Sequence, residues 1–423
     1  MRDLKKMART MQLGGTKLPP VSRSIDDAPS PTAARLDFPA KITLFLLGLY
    51  ILLKPYYLLP SGSPQVADIL LVFEIAFLPF LPPAKHDFAT RNLMYCMAVF
   101  SLYAALVNLG WSIALVDRSV AIYAAYYVFN LGLLIICLRI GAAHTKATLQ
   151  VIAYAVVISA VIQAVMTAHS LNTAQYRQTA SFNNPNQLGY WSLLSLCIFL
   201  SITIRVKIKW YMQAPAIICL CYAVALSLSK AAMIASALML IVHFARSPRL
   251  VVIALVSALI GYLALENSTI TGRVEGRLEN IGSQTDDSLY SRGYLRVVEY
   301  PEYAVLGAGE GALYRFNDVA YSDQRFEIHS TFGTILFSYG VIGMVVFAGA
   351  IWQLYRASSI GYLLYLFPPF LYGLTHQGLR FSFLWLLISV IAILGRSARQ
   401  QRSPISPRHN IRQLAAAKAG RLS

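Results

Sequence analysis

Residues 327–355 read EIHSTFGTILFSYGVIGMVVFAGAIWQLY. The apolar part, 331–355, is long enough to cross a bilayer, because about 20 residues of helix at 1.5 Å per residue span the hydrocarbon core. A transmembrane helix is therefore predicted over 331–355. The polar stretch 267–329 comes directly before it, which places His329 at the boundary between membrane and water.

Apolar runs of this kind recur along the chain. The sequence of 423 residues is 57% hydrophobic and only 13% charged, and its mean hydropathy is +0.55. That composition indicates an all-α polytopic membrane protein with about twelve transmembrane helices and one large loop. The predicted spans are 41–60, 66–84, 92–115, 119–140, 147–168, 188–204, 210–228, 230–245, 249–266, 331–355, 359–376 and 379–395.

The net charge of +17 is unevenly distributed. Basic residues concentrate in both terminal segments and in the connections on the same side of the predicted bundle, which is the positive-inside pattern. Both termini are therefore predicted to be cytoplasmic, and no nucleic-acid partner is expected. The predicted organisation is a disordered basic leader, spans 1–9, a large periplasmic loop, spans 10–12 and a basic tail: 1–40, 41–266, 267–329, 330–395 and 396–423.

Ionisable side chains inside predicted spans are few. Lys54 in the first span and Glu74 in the second lie at a similar depth, and we expect them to pair. Such a pair would fix helix register or serve transport. The five cysteines lie in apolar runs and are interpreted as small buried side chains, not as disulfides or metal ligands.

Two loops share the predicted outer side, 169–187 and 267–329. The first carries Arg177 beside an asparagine-rich stretch, and Lys230 begins a later span at the same face. Both cations are predicted to lie near His329. For Lys230 the alternative is simple snorkelling to the interface.

The large loop offers a second cationic group. A helix predicted from Asp287 or Ser288 to the residue before Pro301 would place Arg292 and Arg296 on one face, four residues apart. Two guanidinium groups on one face suit a diphosphate. The alternative is a solvated helix whose cations pair with Glu299.

His329 is a titratable imidazole at the predicted membrane–water boundary, and Glu327 lies two residues before it. The acidic and basic neighbours of His329 create an environment that can tune its pKa. The alternative is an interfacial histidine that caps the next helix. Gly307-Ala-Gly309 lacks the strand–helix context of a dinucleotide site, so a tight turn towards the membrane is predicted there.

Three segments together resemble one family. Ser181-Phe-Asn183-Asn184-Pro185-Asn186 is similar to a G-T-F-x-N-P-N motif, and Ser229-Lys230-Ala231 to an S-R-G/A motif. Arg292, Pro301, Gly307-Ala-Gly309, His329-Ser330 and Tyr339-Gly340 are similar in order to R…P-x-x-G-x-G…H-N…E-x-G. Over residues 180–345 the chain thus resembles the O-antigen ligase and polymerase superfamily. Lys230, Ser330 and Tyr339 depart from the family's arginine, asparagine and acidic residue.

The resemblance implies a metal-independent glycosyltransferase of the bacterial inner membrane with a helical, GT-C-like fold and no cofactor. Its donor would be a saccharide on undecaprenyl diphosphate at the periplasmic face. The family's basic residues map onto Lys230, Arg292 and His329, and position adds Arg177. The resemblance implies that the cations hold the diphosphate. It also implies that His329 deprotonates or orients the acceptor hydroxyl, with Glu327 as the second candidate base. Membrane lipids and other polysaccharide export proteins are the expected partners.

Within that family a polymerase of a surface polysaccharide is the expected function. The alternative is a ligase that moves finished glycan onto lipid A core or protein. A lipid-linked oligosaccharide flippase or transporter is the alternative from another class. The sugar, the linkage, the chain length and the oligomeric state are not specified by the sequence.

Overall fold

The computed structural model of the protein describes residues 36–60, 64–81, 84–170, 176–245, 275–276, 293–316 and 327–402. All regular structure within these ranges is helical, and they contain no strand. Some predictions lie outside the described residues: the leader to residue 35, the span 249–266, Arg292 and the tail from 403.

The α-helices of the described residues are numbered here in chain order. They are α1 Phe38–Leu53, α2 Val66–Ala76, α3 Phe88–Ala114, α4 Ala121–Ala143, α5 Thr145–His169, α6 Pro185–Thr203, α7 Trp210–Ser227, α8 Lys230–Phe244, α9 Arg296–Glu299, α10 Thr331–Ala357, α11 Ile360–Leu363, α12 Phe367–Gly373 and α13 Ser382–Arg402.

Several helices are long and apolar enough to cross a membrane, so the chain is a multi-pass membrane protein. Within the described residues six segments meet both criteria: Phe88–Ala114, Arg118–Ala143, Thr145–His169, Trp210–Ser227, Thr331–Ala357 and Ser382–Gln401. The prediction of an all-α membrane fold is confirmed at this level.

The predicted span 359–376 is wrong as a single helix. The structure divides it into the short helices α11 and α12. Pro368 and Pro369 lie at the start of α12, where a proline ring disfavours helical geometry in the residue before it and removes a backbone donor.

Helix α6 forms the centre of the bundle. Every residue from Leu188 to Ile202 is buried, so the helix is enclosed on all faces by neighbours that include α7, α8 and α13. The asparagine-rich motif starts this helix, because Asn184 accepts a hydrogen bond from the Asn186 amide at 2.8 Å and Pro185 occupies the first turn. We call the end of the bundle where α6 begins the loop end.

Helix α10 is broken at Gly340, whose φ of 63° and ψ of −170° are not helical. A loop fills the break. The amides of Ala308 and Gly309 donate to the carbonyls of Phe337 and Ser338, each at 2.9 Å, and Val341 donates to the Ala304 carbonyl at 2.8 Å. The backbone groups freed by the break are therefore satisfied by the loop.

This loop, residues 301–311, enters the bundle along α3. Trp111 Nε1 donates to the Gly307 carbonyl at 3.1 Å, and the Tyr103 hydroxyl donates to the Leu306 carbonyl at 2.9 Å. Tyr103 lies roughly 17 Å along the helix axis from Ala114, at 1.5 Å per residue. The turn predicted at 307–311 is present, with positive φ at its three glycines. It is inserted into the helix bundle beside α3.

The predicted ion pair between Lys54 and Glu74 is wrong. Lys54 Nζ lies 2.5 Å from Asp68 Oδ1 instead. Helix α1 ends at Leu53, which brings Lys54 level with the first turn of α2, and Glu74 lies about 9 Å further along that helix. The Glu74 side chain is buried, and neither carboxylate oxygen has a hydrogen-bond partner in the described residues.

Candidate functional site

A cluster of carboxylates and tyrosines lies where the loop 301–311 meets α3, α4 and α10. At its centre is Glu310, which is 5% exposed. Its Oε1 accepts hydrogen bonds from the hydroxyls of Tyr339, at 2.5 Å, and of Tyr127. We call Glu310, Tyr127, Tyr339, Arg380 and Glu327 the acid–tyrosine cluster.

Asn108 of α3 holds Glu310 in place through a closed ring of hydrogen bonds. The Glu310 amide donates to Asn108 Oδ1 at 2.8 Å, and Asn108 Nδ2 donates to the Tyr339 hydroxyl at 3.0 Å. Because Tyr339 in turn donates to the Glu310 carboxylate, both the backbone and the side chain of Glu310 are fixed by the same two helices.

Arg380 joins the two carboxylates of the cluster. Its Nε lies 3.3 Å from Glu310 Oε2, and its Nη1 and Nη2 donate to the two oxygens of Glu327. The guanidinium also lies 5.0 Å from the ring centre of Tyr123, whose hydroxyl donates to Glu327 Oε1 at 2.9 Å. One cation therefore compensates two acids.

The environment shifts the pKa values of the two carboxyl groups in opposite directions. Burial raises the pKa of Glu310 above its ordinary value, although the charge of Arg380 acts against this shift. Burial alone would also raise the pKa of Glu327, but the charge and hydrogen bonds of Arg380, together with the Tyr123 hydroxyl, hold it below the ordinary range. Carboxyl groups with divided pKa values are typical of proton-transfer sites.

A small cleft with a cavity volume of about 20 Å³ lies beside the cluster. Arg296, Glu310 and Glu327 supply its charged lining, and Phe316 and Phe337 are among its apolar residues. Arg296 is buried, with its guanidinium 5.7 Å from the ring centre of Phe316.

The helix predicted to carry both Arg292 and Arg296 is not formed as expected. Helix α9 begins only at Arg296, and Gly293 has a φ of +73°, which interrupts helical geometry. The expected end of the helix before Pro301 is confirmed. Arg296 is therefore placed at the cleft as the first residue of the short helix α9.

His329 lies next to the cluster and does not cap α10. The capping residue is Ser330, whose Oγ accepts from the Gly333 amide at 3.0 Å. His329 Nδ1 lies 2.7 Å from the Glu327 carbonyl. A carbonyl oxygen only accepts, so Nδ1 carries the proton and Nε2 of a neutral ring is the acceptor.

Arg177 and Lys230 lie at the same end of the bundle. Arg177 Nε donates to the Ser227 carbonyl at 3.0 Å, and Nη2 donates to Asn186 Oδ1 at 2.6 Å. Lys230, three residues after Ser227, begins α8 and is partly exposed. The two cations thus flank the starts of α6 and α8.

Helix α12 connects this cationic group to the segment that carries His329. The Tyr372 hydroxyl donates to the Asn186 carbonyl at 3.2 Å, and Ser330 Oγ donates to the Gly373 carbonyl at 3.2 Å. Tyr372 also stacks between Tyr190 and His376, with ring centres 4.3 and 4.5 Å away. Helix α12 therefore bridges the start of α6 and the start of α10.

Sequence reasoning missed most of the acid–tyrosine cluster. Glu310 lies in a glycine turn, Arg380 at the start of the last predicted span, and Tyr127 and Tyr339 inside spans. The available signal was a carboxylate and an arginine at the edges of apolar runs, where unpaired charges are costly. Their pairing was hidden because the partners are far apart in the chain.

No protein-family model and no curated protein matches this chain.

Proposed function

We propose that the protein is a membrane-embedded glycosyltransferase that polymerises a bacterial surface polysaccharide. It would transfer the growing chain from undecaprenyl diphosphate to a hydroxyl of the next lipid-linked repeat unit, at the periplasmic face of the inner membrane. The observation that carries the proposal is the cleft at the loop end, lined by Arg296, Glu310 and Glu327. It combines a buried cation with carboxylates at the mouth of an apolar bundle.

Such a site suits a substrate with a lipid tail and a charged head. The tail remains among apolar helices while the diphosphate reaches the loop end, where Arg177, Lys230 and Arg296 supply positive charge. Arg292, which lies outside the described residues, is the fourth cation of this proposal. Fixed cations stabilise the charge that develops on a departing diphosphate. The sugar–diphosphate bond itself supplies the free energy of the reaction, so no nucleotide is required on that side.

The acceptor hydroxyl requires a group that orients it or removes its proton. The Nδ1 atom of His329 donates to the Glu327 carbonyl, so Nε2 is the acceptor atom of a neutral ring. It is the proposed orienting group in this mechanism. Glu327 is tied to Arg380 and holds that cation beside the cleft.

A ligase that moves finished glycan onto lipid A core or protein would use the same donor and the same cations. It differs only in the acceptor, so it remains the alternative within this reaction class.

A transporter is the second candidate, because α10 is broken at Gly340 and discontinuous helices form substrate sites in carriers. In this chain the carbonyls of Phe337 and Ser338 at the break are occupied by loop amides. That occupation favours a structural use of the break over a transport site.

The test is replacement of His329 or Arg292 by alanine in cells that make the polymer, followed by analysis of lipid-linked glycans. A polymerase predicts that single repeat units accumulate and long chains vanish. His169→Ala is the matched control, since His169 is an exposed histidine at the end of α5. Membrane insertion is confirmed for every variant.

Other outcomes separate the alternatives. Long chains stranded on undecaprenyl diphosphate would indicate a ligase, and repeat units trapped at the cytoplasmic face would indicate a flippase. Unchanged polymer in both variants would refute the proposed role of these residues.

A further inference from the structure

Three side chains beside the cleft have chemistry suited to accepting a proton from an attacking sugar hydroxyl. They are His329, Glu327 and Glu310. Their contacts differ, and these contacts decide which of them is suited to the task.

Glu327 is already committed to a cation. Its Oε1 accepts from the Tyr123 hydroxyl at 2.9 Å and from Arg380 Nη1 at 3.3 Å, and its Oε2 accepts from Arg380 Nη2. A guanidinium at hydrogen-bond distance stabilises the carboxylate form, which makes the group a weak base. Glu327 is therefore a charge partner of Arg380.

His329 lies outside the set of described residues that line the cleft. Its Nδ1 bonds to the Glu327 carbonyl, which fixes the ring at the rim of the site. That position suits orientation of a sugar and is less suited to proton transfer within the cleft.

Glu310 lines the cleft. Unlike Glu327, it does not form a close bidentate ion pair with Arg380. Its Oε1 receives the two tyrosine hydroxyls, and its Oε2 faces Arg380 Nε at 3.3 Å. Burial favours the protonated form, and the negative charge of Glu327 acts in the same direction. The charge of Arg380 and the hydroxyls of Tyr127 and Tyr339 favour the carboxylate. These opposed influences suit a group that gains and loses a proton.

We infer that Glu310 is the catalytic proton acceptor for the attacking hydroxyl, and that the reaction occurs in the cleft between Glu310 and Arg296. The inference rests on the proposed glycosyl transfer. The acceptor oxygen forms a bond to the anomeric carbon while the bond from that carbon to the diphosphate oxygen breaks. The electron pair leaves with the lipid diphosphate beside Arg296. The hydroxyl proton moves to Glu310 and is later released to water or to the departing diphosphate.

The test uses the full-length protein in vesicles that contain the lipid-linked repeat unit. Transfer rate is measured against pH for the unmodified protein, Glu310→Gln, Glu310→Asp and Glu302→Gln. Glu302 is an exposed acid of the same loop and serves as the matched control. Binding of the lipid-linked donor and the unfolding temperature are measured separately.

Glu310→Gln should lower the rate about 100-fold or more, the usual contribution of a general base, while donor binding is retained. In the pH profile of this variant, the transfer rate should no longer decrease at low pH. We call this low-pH decrease the acid-side fall. Glu310→Asp should recover part of the rate, and Glu302→Gln should leave rate and profile unchanged. If Glu310→Gln does not fold, Tyr127→Phe replaces it and should move the acid-side fall to higher pH, because a hydrogen bond to the carboxylate is lost.

The failures are distinguishable. If the unmodified protein transfers glycan and Glu310→Gln keeps both its rate and its acid-side fall, the inference is overturned and the proposed function stands. The inference is likewise overturned if His329→Ala alone removes the acid-side fall, or if Tyr127→Phe leaves it unmoved. If the unmodified protein transfers no glycan, the proposed function itself is refuted, and the inference with it.

Discussion

The hydroxyl of Tyr339 donates to Oε1 of Glu310 across 2.5 Å. Tyr339 is the last residue of α10 before the break at Gly340, and Glu310 belongs to the loop that fills that break. The hydrogen bond therefore joins the break in a membrane helix to the lining of the cleft. A local departure from helical geometry is what positions the acid of the site.

Tyr339→Phe should destabilise the protein by about 1 kcal/mol, because the Glu310 carboxylate and Asn108 Nδ2 each lose a partner. Loss of a hydrogen bond to the carboxylate also favours its protonated form, so the acid-side fall of glycan transfer should move to higher pH. Tyr103→Phe is the matched control, since that hydroxyl donates to the Leu306 carbonyl of the same loop. Thermal unfolding in detergent and the pH profile are the measurements, and equal behaviour of both variants would contradict the expectation.

Gly340→Ala should destabilise the protein by at least about 1–2 kcal/mol, because Gly340 has a φ of +63° and an added Cβ would collide with the Val305 carbonyl. Gly349→Ala on the same helix is the control, since nothing lies within 4 Å of a Cβ there. Alanine is the better helix former, so this control should be neutral or slightly stabilising. Thermal unfolding of the two variants side by side measures the difference. Equal unfolding temperatures would show that the loop accommodates the added Cβ without loss of stability.

The pattern of apolar runs predicted the helices well and the polar contacts poorly. Runs such as 188–204 and 331–355 match α6 and α10 because burial in a bundle depends on local composition. The pairing of Lys54 depended on where α1 ends, which composition does not specify. The position of the site carboxylate depends on a loop that docks into a broken helix. The family resemblance expects an acidic residue at position 339, and the structure places the carboxylate of Glu310 at the end of the Tyr339 side chain.

Lys54→Met should destabilise the protein by roughly 3 kcal/mol, because it leaves Asp68 largely buried without its ion-pair partner. Glu74→Gln should have a much smaller effect or a stabilising one, since both oxygens of Glu74 lack hydrogen-bond partners in the described residues. Thermal unfolding in detergent checks both variants. A large loss of stability in Glu74→Gln together with a small loss in Lys54→Met would instead support the Lys54–Glu74 pair predicted from the sequence.

Asp87 links the start of α3 to α13 at the end opposite the loop end. Its Oδ1 accepts from the Thr90 amide at 2.8 Å, and its Oδ2 lies 2.5 Å from Arg399 Nη2. Burial alone would raise the pKa of Asp87, but the hydrogen bonds from Thr90 and Arg399 lower it below the ordinary 3.8. A carboxyl group with a lowered folded-state pKa contributes stability above its unfolded pKa and loses that contribution as pH falls through the folded value.

Asp87→Ala should therefore destabilise the protein by about 1 kcal/mol at pH 7, mainly through loss of the helix cap. Asp87→Asn keeps a capping side chain and loses only the ion pair with the partly exposed Arg399, so its cost at pH 7 should be smaller. Lowering the pH below about 4 should reduce the stability of the unmodified protein towards that of Asp87→Asn, because a protonated Asp87 keeps an acceptor oxygen for the cap and loses its charge. Unfolding temperatures of the three proteins at pH 7 and at pH 3 measure this convergence. A difference that is the same at both pH values would show that the Asp87 charge does not contribute.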